Sequence, residues 1–201
     1  MEELAVARPL FHSEADFQHA LAWQLHCTYP KLQVRLEVPL AFGTIDLLLA
    51  HEGDRLGVEL KYGRGPLNCL IAGETYSLPE HPLPVVRYEF WQDVQRLEGG
   101  IRLGAFNRGV ALCLSNHDLA WKVPTRRTTQ DAIHFYEGRR ATKVMALDER
   151  PRSGREFAPI LLGREYDCRW SPYSAVSDCR FGVAKYLAIL VNDAGEITFG
   201  S

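Results

Sequence analysis

The 201-residue chain has almost no net charge, no paired-cysteine motif and no long apolar run. A formal charge of −2 excludes a global electrostatic signature, so any nucleic-acid surface must be local. The five cysteines, Cys27, Cys69, Cys113, Cys168 and Cys179, are odd in number and widely spaced. None forms a C-x-x-C pair, which argues against a disulfide framework or a zinc site. Cys27 and Cys113 lie in apolar patterns and are expected to be buried thiols. No stretch approaches membrane-spanning length, and the acidic start Met1-Glu2-Glu3-Leu4 does not read as a signal peptide. A soluble protein of a reducing cytoplasm is expected. There is no internal repeat or low-complexity tract. The 46% hydrophobic content suffices for one core, so residues 1–201 are read as one domain.

What is present is organised around one predicted hairpin. Gly43 to Ala50 and Leu56 to Tyr62 are apolar strands joined by a polar turn. Three charges interrupt them: Asp46, Glu59 and Lys61. Charge is costly to bury unless it is paired or binds a metal. Side chains alternate along a strand, so Glu59 and Lys61 share one face while Val58 and Leu60 share the other. If Glu52-Gly53 is the turn, His51 pairs with Asp54 and Asp46 falls opposite Glu59. A slip of one residue would separate the two carboxylates. Two carboxylates one cross-strand spacing apart suit Mg²⁺, and a nearby lysine can orient water or stabilise a developing phosphorane charge.

Asp46 followed by Glu59-Leu60-Lys61 resembles the PD-(D/E)XK nuclease superfamily, which has the restriction-endonuclease-like fold. Ile45 stands where the family often has proline. The resemblance implies that Asp46, Glu59 and the Leu60 carbonyl hold Mg²⁺ (or Mn²⁺) and that Lys61 activates water. It also implies that a glutamate of the first helix, here Glu14, can join the site. Arg87-Tyr88-Glu89-Phe90-Trp91 and Asp93 to Glu98 resemble an uncharacterised bacterial group of that superfamily.

The remaining pattern fits an α/β chain. Residues 1–12 read as a loose lead-in. Ser13 and Asp16 resemble a capping box before a helix to about Thr28, with Phe17, Leu21 and Leu25 as its buried stripe. Glu14 sits at the top of that stripe, where a first-turn acid favoured by the helix dipole is the competing explanation. Leu32, Val34, Leu36, Val38 and Leu40 alternate with Gln33, Arg35 and Glu37, a half-buried strand. Leu67–Ile71 and Thr75–Leu78 suggest a small hairpin placed to act as a flap. Val85 to Glu98 reads as a helix closed by Gly99-Gly100, with Val86, Phe90, Val94 and Leu97 facing inward. Arg108 to Ser115 is a buried strand ending at His117, parallel to the strand of Lys61.

This α-β-β-β-α-β order over residues 13–121 is the one the restriction-endonuclease-like core requires, with a mixed sheet flanked by helices. Residues 122–201 are read as a basic loop region and a C-terminal β extension. Residues 122–169 carry eleven Lys/Arg against seven Asp/Glu, interleaved with aromatic groups. Val183 to Val191 is an apolar strand turning at Asn192–Gly195 into Glu196–Phe199. The function expected is a Mg²⁺-dependent endonuclease acting on nucleic acid, DNA first. Catalytic candidates are Asp46, Glu59, Lys61 and Glu14. Backbone contacts are assigned to Arg87, Arg96, Arg126, Arg127, Arg139 and Arg140. A homodimer is an open alternative that the resemblance raises. The rival readings are a non-catalytic nucleic-acid- or partner-binding protein on the same scaffold, and a purely structural salt-bridge cluster.

Overall fold

The central hairpin is fixed by its turn. Glu52 and Gly53 take φ of 49° and 91°, the two left-handed positions of a type I′ turn. His51 pairs with Asp54, the register the sequence pattern predicts. Residues 1–146 and 157–192 are described by the computed structural model. In chain order the elements are α1 (Glu2–Ala7), α2 (Glu14–Thr28), β1 (Gln33–Leu40), β2 (Gly43–His51), β3 (Asp54–Gly63), β4 (Leu67–Ile71), β5 (Glu74–Leu78) and α3 (Leu83–Arg102). Then come β6 (Arg108–Ser115), β7 (Arg140–Ala141), β8 (Val144–Met145), β9 (Ile160–Leu161), β10 (Tyr166–Asp167), β11 (Trp170–Ala175) and β12 (Val183–Asn192).

The fold is α/β, with a mixed six-stranded sheet in the order β1-β2-β3-β6-β12-β11. Only β3 and β6 run parallel; the other neighbours are antiparallel. One face packs on α3 through Val86, Phe90, Val94 and Leu97. The opposite face packs on α2 through Phe17 and Leu21. The Ser13 hydroxyl accepts from the Asp16 amide at 3.1 Å, which satisfies one free donor at the start of α2.

Several expectations need correcting. The lead-in holds a short helix, α1. Leu32 and Val34 pack on the α2 side, but Val38 and Leu40 pack on the α3 side. Glu37, at φ 51°, breaks the alternation between them and leaves Leu36 exposed. Cys27 is exposed, whereas Cys113 is buried; all five cysteines are free thiols. Tyr88 and Trp91, outside the predicted inward face of Val86, Phe90, Val94 and Leu97, are buried too, because residues of 119–146 and 157–170 cover that flank of α3. The Trp91 indole N–H donates to the Ile133 carbonyl at 2.9 Å. Phe135, Tyr166 and Trp170 are core residues of this layer, so they are not open to a ligand. The strand partnering β12 on its outer side is β11, which follows directly on the basic residues 122–169 and was not recognised in the sequence. The Asn192–Gly195 turn and the Glu196–Phe199 strand fall outside the described residues, apart from Asn192 itself.

Helix α3 also runs through Gly99-Gly100 instead of stopping there. The two glycines do not terminate it because Gly100 has a packing role. A Cβ there would lie 2.2 Å from the Phe106 ring, and one at Gly57 of β3 would lie 2.7 Å from the same ring. Phe106 is thus wedged between helix and strand. Gly100→Ala should lower stability by about 2 kcal/mol, because overpacking (about 3 kcal/mol) outweighs a helix-propensity gain of about 1 kcal/mol. A urea unfolding midpoint equal to or above wild type would show that the ring moves freely.

Candidate functional site

Strand β2 leaves β3 early. Their last paired residues are Leu47 and Val58, so the β3 amides beyond that point that face β2 lose their strand partner, while the other edge stays paired with β6. Carboxylates take its place. Asp46 Oδ2 accepts from the Leu60 amide at 2.6 Å, and Glu14 Oε2 accepts from the Tyr62 amide at 2.7 Å. Leu60 and Tyr62 are two apart, so their amides lie along one edge. Unpaired backbone donors in a part-buried place are costly, which explains why acids stand there. Gln18, one turn after Glu14 on α2, fixes the arrangement. Its amide donates to the Asp46 carbonyl at 2.9 Å and to Glu37 Oε1 at 2.7 Å.

Glu59 and Lys61 project to the α3 side, as the alternation predicts. There they meet two residues of α3, Asp93 and Arg96. Lys61 Nζ lies 3.3 Å from Glu14 Oε1 and 3.5 Å from Asp93 Oδ2. Arg96 bridges Glu59 Oε1 at 2.5 Å and Asp93 Oδ1 at 3.3 Å. Glu59 and Asp93 are only 2% and 5% exposed, while the Glu14 side chain is 41% exposed and opens the cluster to solvent. The structure therefore brings together all four catalytic candidates, and Arg96 with them. Sequence analysis missed Gln18, and it saw Asp93 only as an intrahelical partner of Arg96, a pairing the structure shows, rather than as a member of the site. Their signals were helical spacing, three residues before Arg96 and four after Glu14.

Four carboxylates, Glu14, Asp46, Glu59 and Asp93, face two cations. The excess of negative charge raises proton affinity. Burial first, then Asp93 and Asp46, push Glu59 up to about 9 against the opposing charge of Arg96. Burial, with Asp46 and Glu14 adding to it, pushes Asp93 to about 7 against Lys61 and Arg96. Asp46 is raised by burial and by Glu14, against the Leu60 hydrogen bond. Burial works against the Lys61 charge, but Asp93 and Glu14 outweigh it, so Lys61 stays protonated.

A pH dependence follows. Between pH 4.5 and about 9 the folded protein holds a proton on Glu59 that the unfolded chain releases. Proton uptake on folding means that this contribution to stability falls as pH rises. Without divalent metal, stability should decline from pH 5 to 9 by up to about 1.4 kcal/mol per pH unit for one such group. Glu59→Gln should flatten the slope. A flat wild-type profile in chemical denaturation would show that these carboxyls are ionised throughout.

Among the described residues no three His, Cys, Asp or Glu side chains stand together as a ready-made metal site. The donors are nevertheless of the right kind. Mg²⁺ takes hard oxygen ligands, and an uncompensated set of carboxylates favours a cation. Glu59 is engaged by Arg96, so it would have to release that contact to bind an ion.

The other sequence candidates are dispersed. Arg87 is buried, donating to the Leu119 carbonyl at 2.7 Å and lying 3.3 Å from His134 Nε2, so it holds the C-terminal layer and faces no open surface. Arg140 pairs with Glu165 at 2.7 Å. Arg126, Arg127 and Arg139 line a separate cleft. His117 is buried at the end of β6 beside Phe181, with Glu80 3.5 Å from its Nε2. Among the described residues, no helix is long and apolar enough to cross a membrane. Comparison of the chain with family models, curated proteins and solved structures gave no match.

Proposed function

We propose that the chain is a divalent-metal-dependent nuclease that hydrolyses phosphodiester bonds, with DNA as the expected substrate. In this reading residues 13–121 form a restriction-endonuclease-like α-β-β-β-α-β core, with β4 and β5 inserted between β3 and α3. The observation that carries the reading is the meeting of Asp46, Glu59, Lys61 and Glu14 where β2 leaves β3. Asp46, Glu59 and the Leu60 carbonyl would hold Mg²⁺, which when bound supplies a water of lowered pKa and Lewis-acid polarisation of the phosphate. Lys61 is a fixed positive charge beside that set, suited to orient the attacking water and to stabilise charge developing on the phosphoryl oxygens. Glu14 holds Lys61 in position and, with its side chain open to solvent, would hold a metal-bound water.

One observation favours a second reading. The ion pairs Glu14–Lys61–Asp93–Arg96–Glu59 form a continuous chain in which each cation bridges two acids. A non-catalytic binding protein on the same scaffold could keep such a chain for structure alone. The two separate on a panel of labelled single-stranded, double-stranded and branched DNA and RNA, with Mg²⁺ or Mn²⁺, wild type beside Lys61→Ala. Cleavage that the variant loses supports the nuclease. Binding with no cleavage by either protein supports the second reading.

A further inference from the structure

The basic region that lies outside the acidic cluster has a shape of its own. Residues 123–142 wall a cleft of about 870 Å³, within the range of small-ligand sites. Three guanidinium groups line it, those of Arg126, Arg127 and Arg139. Among the described residues neither Arg126 nor Arg127 forms an ion pair, and both are exposed. Arg139 donates from Nη2 to the Ala132 carbonyl at 3.2 Å, and its Nε is buried with no hydrogen-bond partner. The acid of the cleft, Asp131, is engaged locally: its Oδ1 accepts from the Thr128 amide at 2.9 Å and from the Thr128 hydroxyl at 3.1 Å. The cleft is therefore net cationic. Its aromatic member is Tyr136, with the Arg139 guanidinium 5.6 Å from the ring centre. Guanidinium groups bind phosphate oxygens through paired N–H donors, and a ring carrying a guanidinium is a platform for a base.

The cleft is fastened to the helix that carries Asp93 and Arg96. Arg87 lies 3.3 Å from His134, and Trp91 is bonded to Ile133. Six residues separate Arg87 from Asp93, about 9 Å along the helix axis.

We infer that this cleft holds single-stranded nucleic acid, with a backbone phosphate among Arg126, Arg127 and Arg139 and the adjoining base stacked on Tyr136. It is a holding site apart from the cleaving cluster, and it rests on the nuclease reading for the class of its ligand. An unstacked base is what distinguishes this ligand from duplex DNA, whose bases are not free to reach an aromatic ring.

The test is fluorescence anisotropy of the full chain with a labelled single-stranded 12-mer in EDTA, which separates binding from cleavage. Arg126→Ala/Arg127→Ala should weaken binding about tenfold or more and reduce the slope of log K against log salt by about 0.7, the loss of one neutralised phosphate on a single strand. Tyr136→Leu should weaken binding several-fold at unchanged salt slope, and the exposed Arg35→Ala should change nothing. The inference is overturned if Tyr136→Leu is silent and duplex binds as tightly as single strand. It is overturned equally if inorganic phosphate or AMP competes as well as the oligonucleotide per mole, which would mark a site for free phosphate compounds. Strand binding that obeys these variants, with no cleavage in metal, leaves the holding site standing and removes the nuclease reading. Cleavage that ignores all three variants at limiting substrate does the reverse.

Discussion

Lys61→Ala should reduce nucleic-acid hydrolysis by about a thousandfold, an effect of about 4 kcal/mol on the barrier and the upper range for loss of one preorganised charge stabiliser. Lys61 is suited to this role because it is held rigidly, between Glu14 at 3.3 Å and Asp93 at 3.5 Å. Its fold cost should be small near pH 6. Asp93 keeps Arg96, and with an affinity for protons near pH 7 it can protonate once Lys61 is gone. Asp46 offers a cleaner separation of structure from chemistry. Asp46→Asn keeps an oxygen that can accept from the Leu60 amide but removes the charge, so it should fold normally and lose cleavage. Asp46→Ala removes both and should also lose stability, by about 1–3 kcal/mol for one unpaired part-buried amide. Single-turnover cleavage rates beside unfolding midpoints decide the matter. If Lys61→Ala cleaves like wild type, Lys61 has no part in the chemistry. If it unfolds at every pH while wild type never cleaves, the cluster is structural.

The hairpin was legible because its determinants are local. Two strand-length apolar runs and a Glu-Gly turn specify one register, and that register puts Glu59 and Lys61 on one face. Asp46 was legible only in part. Pattern placed it opposite Glu59, but not the departure of β2 that turns its carboxylate onto the Leu60 amide. That departure goes with the left-handed Glu37 on β1, and nothing in a glutamate announces a positive φ. Asp93 was hidden for a different reason. A charged residue on an amphipathic helix reads as solvent-facing until the element packed against it is known. The same holds for Arg87, Tyr88 and Trp91, which are covered by a layer of short strands with no periodicity long enough to read. Gly99-Gly100 misled because glycine marks both helix ends and close packing, and only the position of Phe106 tells them apart.

Arg96→Met should destabilise the protein chiefly above pH 9, by about 1.4 kcal/mol for each further pH unit, because Glu59, which holds a proton up to about pH 9 beside Arg96, loses the cation that lets it ionise in its buried place. The Glu59 side chain is 1% exposed, and among the described residues Arg96 is its charged hydrogen-bond partner. Protonation offers Glu59 an escape, so the cost should shrink toward pH 5 and grow as pH rises. Glu59→Gln/Arg96→Met removes both charges and should return to within about 1 kcal/mol of wild type, the pattern expected of a coupled pair. The same variant bears on metal. Where Arg96 occupies Glu59, a divalent ion must displace it, so freeing Glu59 should tighten Mn²⁺ binding about tenfold, read by electron paramagnetic resonance without any substrate. The extra affinity should also appear as greater protection from unfolding at equal Mn²⁺, since a ligand of the folded state stabilises it in proportion to the logarithm of its saturation. Weaker Mn²⁺ binding in Arg96→Met would mean that the arginine helps to build the ion site rather than guarding it. A destabilisation independent of pH would mean that Arg96 acts through packing of its stem beside Gly43, where its Cδ would come within 3.7 Å of an added Cβ, and not through Glu59.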